Sequence, residues 1–347
     1  MRRGTRVAVI LAAALLGLAQ CSVGQDDSGR PESKVLQFRF TPGQPLTYAM
    51  TTRMKMDMDM KVGQGSSKTK IDVTLRFNVK LTPKVEVKPG LTTCVLSTSD
   101  IDGDWDISGP AGTVVLKLRG AQMTGTQNGN VIIDTEKDIG TSQAKDFKKE
   151  IAALYLSGEM DLDSRGNIKD IRGEVPFVEF WKEANEASVG FFGIVLPEKP
   201  VAEGGTWFEK VALKKMGEIL LEGEGLRCTV TFTRQPDTTV QGKPVALFKL
   251  SAPFSEKDLV GVLQQMGQKT RLSIPTFRRT ATGTVHFDQA KGVLLDSDTK
   301  IDADASMNAN IQGQDLKMDM KIGAEIGLKL APPAAAKTPK AGIPSKP

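Results

Sequence analysis

An apolar residue, mostly methionine, occupies every second position of Met54-Lys55-Met56-Asp57-Met58-Asp59-Met60-Lys61-Val62-Gly63, and the pattern returns as Leu316-Lys317-Met318-Asp319-Met320-Lys321-Ile322-Gly323. Thioethers are soft ligands that suit Cu(I), and methionine is also an adaptable apolar side chain found on surfaces that accept varied ligands. Three readings follow: an apolar core face, a groove for a hydrophobic or lipid-like molecule, and a copper site. Spacing works against the last. Neighbours on one face of a strand lie about 6.5–7 Å apart, too far for two sulfurs to share a metal without bending the strand, and no histidine is nearby.

Other chemistry is poorly supported. The single histidine, His286, sits in Thr284-Val285-His286-Phe287 without a Gly-x-Ser-x-Gly elbow or a phosphate loop elsewhere in the chain. Its alternation makes it a solvent-facing strand residue. The run Asp100-Ile101-Asp102-Gly103-Asp104-Trp105-Asp106 fails the calcium-loop pattern, since Trp105 stands where glycine is needed and Ala111 where glutamate is needed. Read as a strand, it turns Ile101, Trp105 and Ile107 inward and its aspartates outward, and Asp296, Asp298, Asp302 and Asp304 alternate in the same way. No cofactor and no resident metal is called for. The sequence therefore reads as non-enzymatic.

The elements that must carry the methionines are strands, because alternation of apolar and charged residues gives each strand one oily and one solvated face. The cleanest example is Lys70 to Leu81, where Ile71, Val73, Leu75, Phe77, Val79 and Leu81 alternate with polar residues. Leu36 to Phe40 also reads as a strand. Helices are few. Gln143 to Ala153 follows a Thr141 or Ser142 cap. Pro176 to Ser188 places Phe177, Phe180, Trp181 and Ala184 on one face. Ser255 with Asp258 resembles a capping box ahead of Leu259, Val262, Leu263 and Met266. The expected fold is mainly β, a β-rich α+β arrangement: a large curved antiparallel sheet, single or in two related half-sheets, with two or three short helices on one face. Met54, Met56, Met58, Met60, Met318, Met320, Phe180 and Trp181 would line a groove beneath them.

Residues 35–330 form the expected β-rich domain. Within it Leu162-Asp163-Ser164-Arg165-Gly166-Asn167-Ile168 and Phe287-Asp288-Gln289-Ala290-Lys291-Gly292-Val293 share a plan. The plan admits a repeat of about 35–173 and 205–330 joined by a helical connection, 174–204. Chance resemblance between meander strands explains it equally well.

Arg2, Arg3 and Arg6 precede the apolar run Val7 to Ala19, which is too short to span a bilayer and reads as an export signal over 1–20. Leu18-Ala19-Gln20-Cys21 resembles the lipobox of bacterial lipoproteins, with Gln20 in place of the usual small residue. Two outcomes stay open: lipidation of Cys21, with 21–34 as a flexible tether, or cleavage after Ala19. Residues 331–347 are a Pro/Ala/Lys tail expected to be disordered. Three arginines lie in 1–20 and three lysines in 331–347, with no acid in either, so the +5 of the whole chain becomes −1 for the body between. Nucleic acid is thereby disfavoured as a partner. Cys94 and Cys228 would be either one disulfide or two buried thiols.

Leu-x-Phe-x-Phe-x-x-Gly at Leu36 to Gly43, the hairpin Met160 to Ile168, and Leu196-Pro197-Glu198-Lys199-Pro200-Val201-Ala202-Glu203-Gly204-Gly205-Thr206-Trp207 resemble an uncharacterised family of exported bacterial proteins and lipoproteins carrying a domain of unknown function. The resemblance implies a fold and an envelope location, periplasmic and lipid-anchored or secreted, and no activity. More distantly, the layout is similar to the lipoprotein-carrier class of periplasmic lipid binders, a fold-level analogy. The function expected is an envelope protein binding a hydrophobic ligand or a protein partner. A structural module with a closed core is the alternative and copper binding the remote one.

Overall fold

The computed structural model describes residues 35–332, apart from 138, 140–154, 156, 175–177, 179–191, 214, 217–218, 224, 241, 266–267 and 312. The elements they form are β1 (Leu46–Val62), β2 (Gly65–Lys88), β3 (Leu91–Gly109), β4 (Gly112–Arg119), β5 (Gln122–Gln127), β6 (Asn130–Asp134), β7 (Ser157–Asp163) and β8 (Ile168–Gly173). They continue as β9 (Thr206–Leu213), β10 (Lys215–Met216), β11 (Ile219–Leu221), β12 (Leu226–Val240), β13 (Lys243–Gln265), β14 (Gln268–Asp288), β15 (Val293–Ile311) and β16 (Gln314–Leu330). All sixteen belong to one sheet.

The long strands form its centre in the order β13-β14-β15-β16-β1-β2-β3, so the first and last strands of the domain lie side by side. Each outer long strand then branches. One part of β3 pairs with β7 and the rest with β4, while one part of β13 pairs with β12 and the rest with β11. At one end of the sheet the two wings, β7–β8 and β9–β12, are tied together by irregular chain. Phe38 N–H donates to Ser164 O (2.7 Å) and Arg39 N–H to Gly292 O (2.9 Å), so residues 36–40 run between the turns after β7 and after β14. Leu196 N–H donates to Arg165 O (2.9 Å), and the Trp207 indole donates to Val195 O (2.9 Å).

Aromatic packing fills this tied end. Phe38 stacks on Phe192 (centroids 4.6 Å apart) and meets Phe287 edge-on (5.2 Å). Trp207 stacks on Phe232 (5.2 Å). Tyr48 is wholly buried, and its only polar outlet among the described residues is a long bond to Leu294 O (3.5 Å). Gly166 closes the β7–β8 turn at φ +92°, where a side chain would be strained, and a Cβ there would meet Phe38 Cε2 at 2.7 Å.

The opposite face of the long strands is a charge lattice. One register row reads Lys70, Asp57, Lys321, Asp304, Arg278 across five strands, each sign opposite to the next. Directly opposed unlike charges contribute about 0.2–1 kcal/mol per pair, and they leave this face solvated. Asp104 sits on it too, bound by Arg119 (2.6 Å). These positions are the charged halves of the alternation read in the sequence.

Among the described residues the expected helices are not seen. Ser255 to Gln265 is the second half of β13, paired with β14 through Leu263↔Thr270 and beyond, and Met266 lies outside the described residues. Asp258 has φ 55° and lies opposite Pro275, near which β14 slips register against β15. A bulge moves the apolar positions by one residue, so an interrupted strand takes on helix-like spacing. The other two expected helices lie outside the described residues, Val178 excepted. Leu36 to Phe40 pairs with no strand and is the tie described above. The stretch Met307 to Leu330 is two strands broken around Gly313. Among the described residues no helix is long and apolar enough to cross a membrane.

Candidate ligand-binding face

The two methionine repeats are neighbours. β1 and β16 pair with Met54↔Ala324, Met56↔Ile322, Met58↔Met320 and Met60↔Met318, and β16 pairs with β15 at Met318↔Met307. Residues directly opposite in an antiparallel pair have Cβ atoms about 4.5–5.5 Å apart, so five thioethers share one patch. Register sets up this patch; spacing along either strand could not reveal it.

Exposure changes steadily along β1. Met54 and Met56 are each 1% exposed, Met58 is half-buried, and Met60 reaches 37%. Met318 and Met320 are half-buried, beside a small buried cluster of Leu221, Leu226, Ile274 and Met307 that Phe254, Leu259 and Phe277 border. Phe254 and Phe277 lie 5.8 Å apart, tilted against each other. The apolar face thus runs from a filled core at the tied end to an incompletely covered surface at the hairpin end. Phe180 and Trp181, expected to line the same groove, lie outside the described residues, as do Cys21 and the terminal segments.

A groove of about 730 Å³ is present at the hairpin end, but it does not lie beneath the methionines. Lys61, Lys317, Asn308 and Ser273 of one solvent-side row line it, together with Arg271 and Asp315.

Cys94 on β3 and Cys228 on β12 are both free, so the bridge left open by the sequence is not formed. Cys94 is fully buried; burial, and next the nearby charge of Asp161, push its thiol up to about 12. His286 Nδ1 lies 2.6 Å from Asp296 Oδ1, within hydrogen-bond reach on the charged face. Among the described residues no three acidic, histidine or cysteine side chains cluster as metal ligands do.

Arg165 is the polar centre of the tied end. Its Nε donates to Leu196 O (2.6 Å), Nη1 to Glu198 (2.8 Å) and Nη2 to Glu209 (2.5 Å). Burial raises the Glu209 pKa and the Arg165 charge only partly offsets it. Asp163, which caps the same turn, is pushed up by burial but pulled further down by its bonds to Asn167 and Lys169.

Sequence reasoning passed over Arg279. It lies on the methionine side of the sheet, in the row Ile71, Met56, Ile322, Ala303, Arg279, Phe254, and is 7% exposed. A signal was present: Arg278 and Arg279 are consecutive in a central strand, so one of them must point inward.

No family model matches the chain, and no curated protein matches it. Among solved structures, lipovitellin overlaps 86% of this chain and 27% of its own at 10% identity, TM-score 0.43, so the chain spans about a quarter of that protein. A protein of YmcC-like fold from Bacteroides fragilis NCTC 9343 overlaps 83% of this chain and 98% of its own at 8% identity, TM-score 0.17. An outer membrane channel from Pseudomonas putida F1 overlaps 88% and 100% at 7% identity, TM-score 0.19. Scores of this size carry no argument about fold or function here.

Proposed function

We propose that this chain is a non-enzymatic protein of the cell envelope that binds a hydrophobic, lipid-like molecule on the methionine face of its sheet. The observation that carries the reading is the exposure gradient from Met54 at 1% to Met60 at 37% along a single apolar row. A closed structural module would bury the whole row, because apolar area left in water costs about 25 cal/mol per Å². Methionine suits a surface that must fit flexible chains of varied shape. The export signal read in residues 1–20 supports the envelope location. A lipid anchor at Cys21 and a protein partner stand as subsidiary proposals.

The test uses N-phenyl-1-naphthylamine, a neutral apolar dye. Wild-type protein brightens it, and a double exchange, Met60→Asp with Met318→Lys, weakens binding about tenfold or more by replacing an apolar cross-strand pair with an ion pair. The exchange preserves strand pairing, so its thermal unfolding stays near wild type. A wild-type protein that leaves the dye dark would return the chain to a closed structural or partner-binding role.

Copper remains a second reading for one reason. Cross-strand register brings Met58 to Met320 and Met60 to Met318, meeting the objection drawn from spacing along one strand, and thioethers suit Cu(I). Failure of the protein to withdraw Cu(I) from bathocuproine disulfonate would retire it.

A further inference from the structure

The methionine face carries more buried donors than it can satisfy. Among the described residues, Arg279 Nε and Nη2 have no hydrogen-bond partner, and neither do Trp105 Nε1 and Thr52 Oγ1. All three residues point to the same side: Thr52 lies two residues before Met54 on β1, Trp105 is in the row of Met54, and Arg279 is in the row of Met56. Buried side-chain polar groups in folded domains are nearly always paired, and a buried guanidinium without an anion is among the costliest exceptions. Across the inward rows of β14, β15, β16 and β1, Arg279 is the sole charge among the described residues. The charged residue at an inward position on β13, Glu256, faces Phe277 across the strands and is exposed. Arg279 is influenced by the Cys228 thiol and by no carboxylate, and burial draws its pKa down to about 10. It is therefore still cationic at neutral pH.

We propose that Arg279 receives the acid group, carboxylate or phosphate, of an anionic amphiphile whose apolar chain lies along the methionine rows. This rests on the hydrophobic-ligand reading above and specifies its substrate class. The chemistry fits the residue: a guanidinium offers a planar fork that binds either acid in two-point fashion, which an ammonium cannot do. The position fits as well. Ala303 and Ile322 separate Arg279 from Met56 in their row, a distance of about 14 Å at roughly 4.8 Å per strand, which is within the length of a long acyl chain. Phe254, next in the row, and Phe277, two residues before Arg279, supply apolar walls beside the guanidinium.

The experiment displaces N-phenyl-1-naphthylamine with three ligands of one chain length: palmitic acid, hexadecanol and palmitoyl lysophosphatidic acid. Wild-type protein is expected to prefer at least one of the acids over the alcohol by about tenfold or more, the worth of a buried charge-assisted bond; the stronger acid identifies carboxylate or phosphate. Arg279→Met should erase the preference while alcohol binding persists, and Arg279→Lys should restore only part of it. Equal affinity of wild type for acids and alcohol overturns the role of Arg279 and leaves the groove standing. Displacement by none of the three overturns the groove reading itself. The wild-type comparison decides both points even if a variant fails to fold.

Discussion

Phe38→Ala is expected to lower the unfolding free energy by about 3–5 kcal/mol, the range for removing a buried aromatic ring from a packed core. The ring is 4% exposed and touches Phe192, Phe40 and Phe287, while its backbone bonds to Ser164. The β7–β8 wing and the β14–β15 hairpin both lean on this one segment, since Arg39 bonds to the turn after β14. The loss is therefore not confined to a local cavity: it loosens the connection between β7–β8 and β14–β15. Urea unfolding would show a lower midpoint, with Phe38→Leu recovering most of it. An unchanged midpoint for Phe38→Ala would remove residues 36–40 from the account of stability.

The second large effect is electrostatic. Arg165→Met breaks a pair in which Glu209 is 5% exposed, and stranding a buried charge in this way costs about 3–5 kcal/mol. Its pH dependence has a definite sign. Burial already raises the Glu209 pKa, and removing Arg165 takes away the charge that offsets it. The folded variant then holds a proton that the unfolded chain releases. Its stability falls as pH rises from the ordinary carboxylate range through the folded pKa, and it is least impaired where Glu209 is protonated in both states. Glu209→Gln in the same background should recover stability at neutral pH and flatten the profile. A deficit of equal size at all pH values would show that lost packing, not the stranded carboxylate, is responsible.

The legible part of the fold was the alternation. Ile71, Val73, Phe77, Val79 and Leu81 are buried as their spacing required, and the aspartates of Asp102 to Asp106 and Asp302 to Asp304 lie on the charged face. What spacing within a strand cannot show is which strands become neighbours. Pairing of β1 with β16 joins residues more than 250 positions apart, and it alone converts two methionine repeats into one patch. The irregularity around Asp258, with its positive φ and the register slip of the facing β14, misled for a related reason, since an interrupted alternation resembles a helical one. Arg279 and Glu209 were visible as charges at inward positions of their strands, but the meaning of Glu209 needs Arg165 on the opposite wing and that of Arg279 needs the strands registered beside it. Leu36 to Phe40 alternates like a strand, yet it is consumed in bridging two turns.

Intact mass under native and then denaturing conditions, after the protein has met vesicles of mixed bacterial lipids, tests the central claim most directly. The account predicts a native mass higher than the denatured one by a single amphiphile carrying an acid group, with that excess lost in the Met60→Asp, Met318→Lys protein. Equal native and denatured masses for the wild-type protein would contradict it.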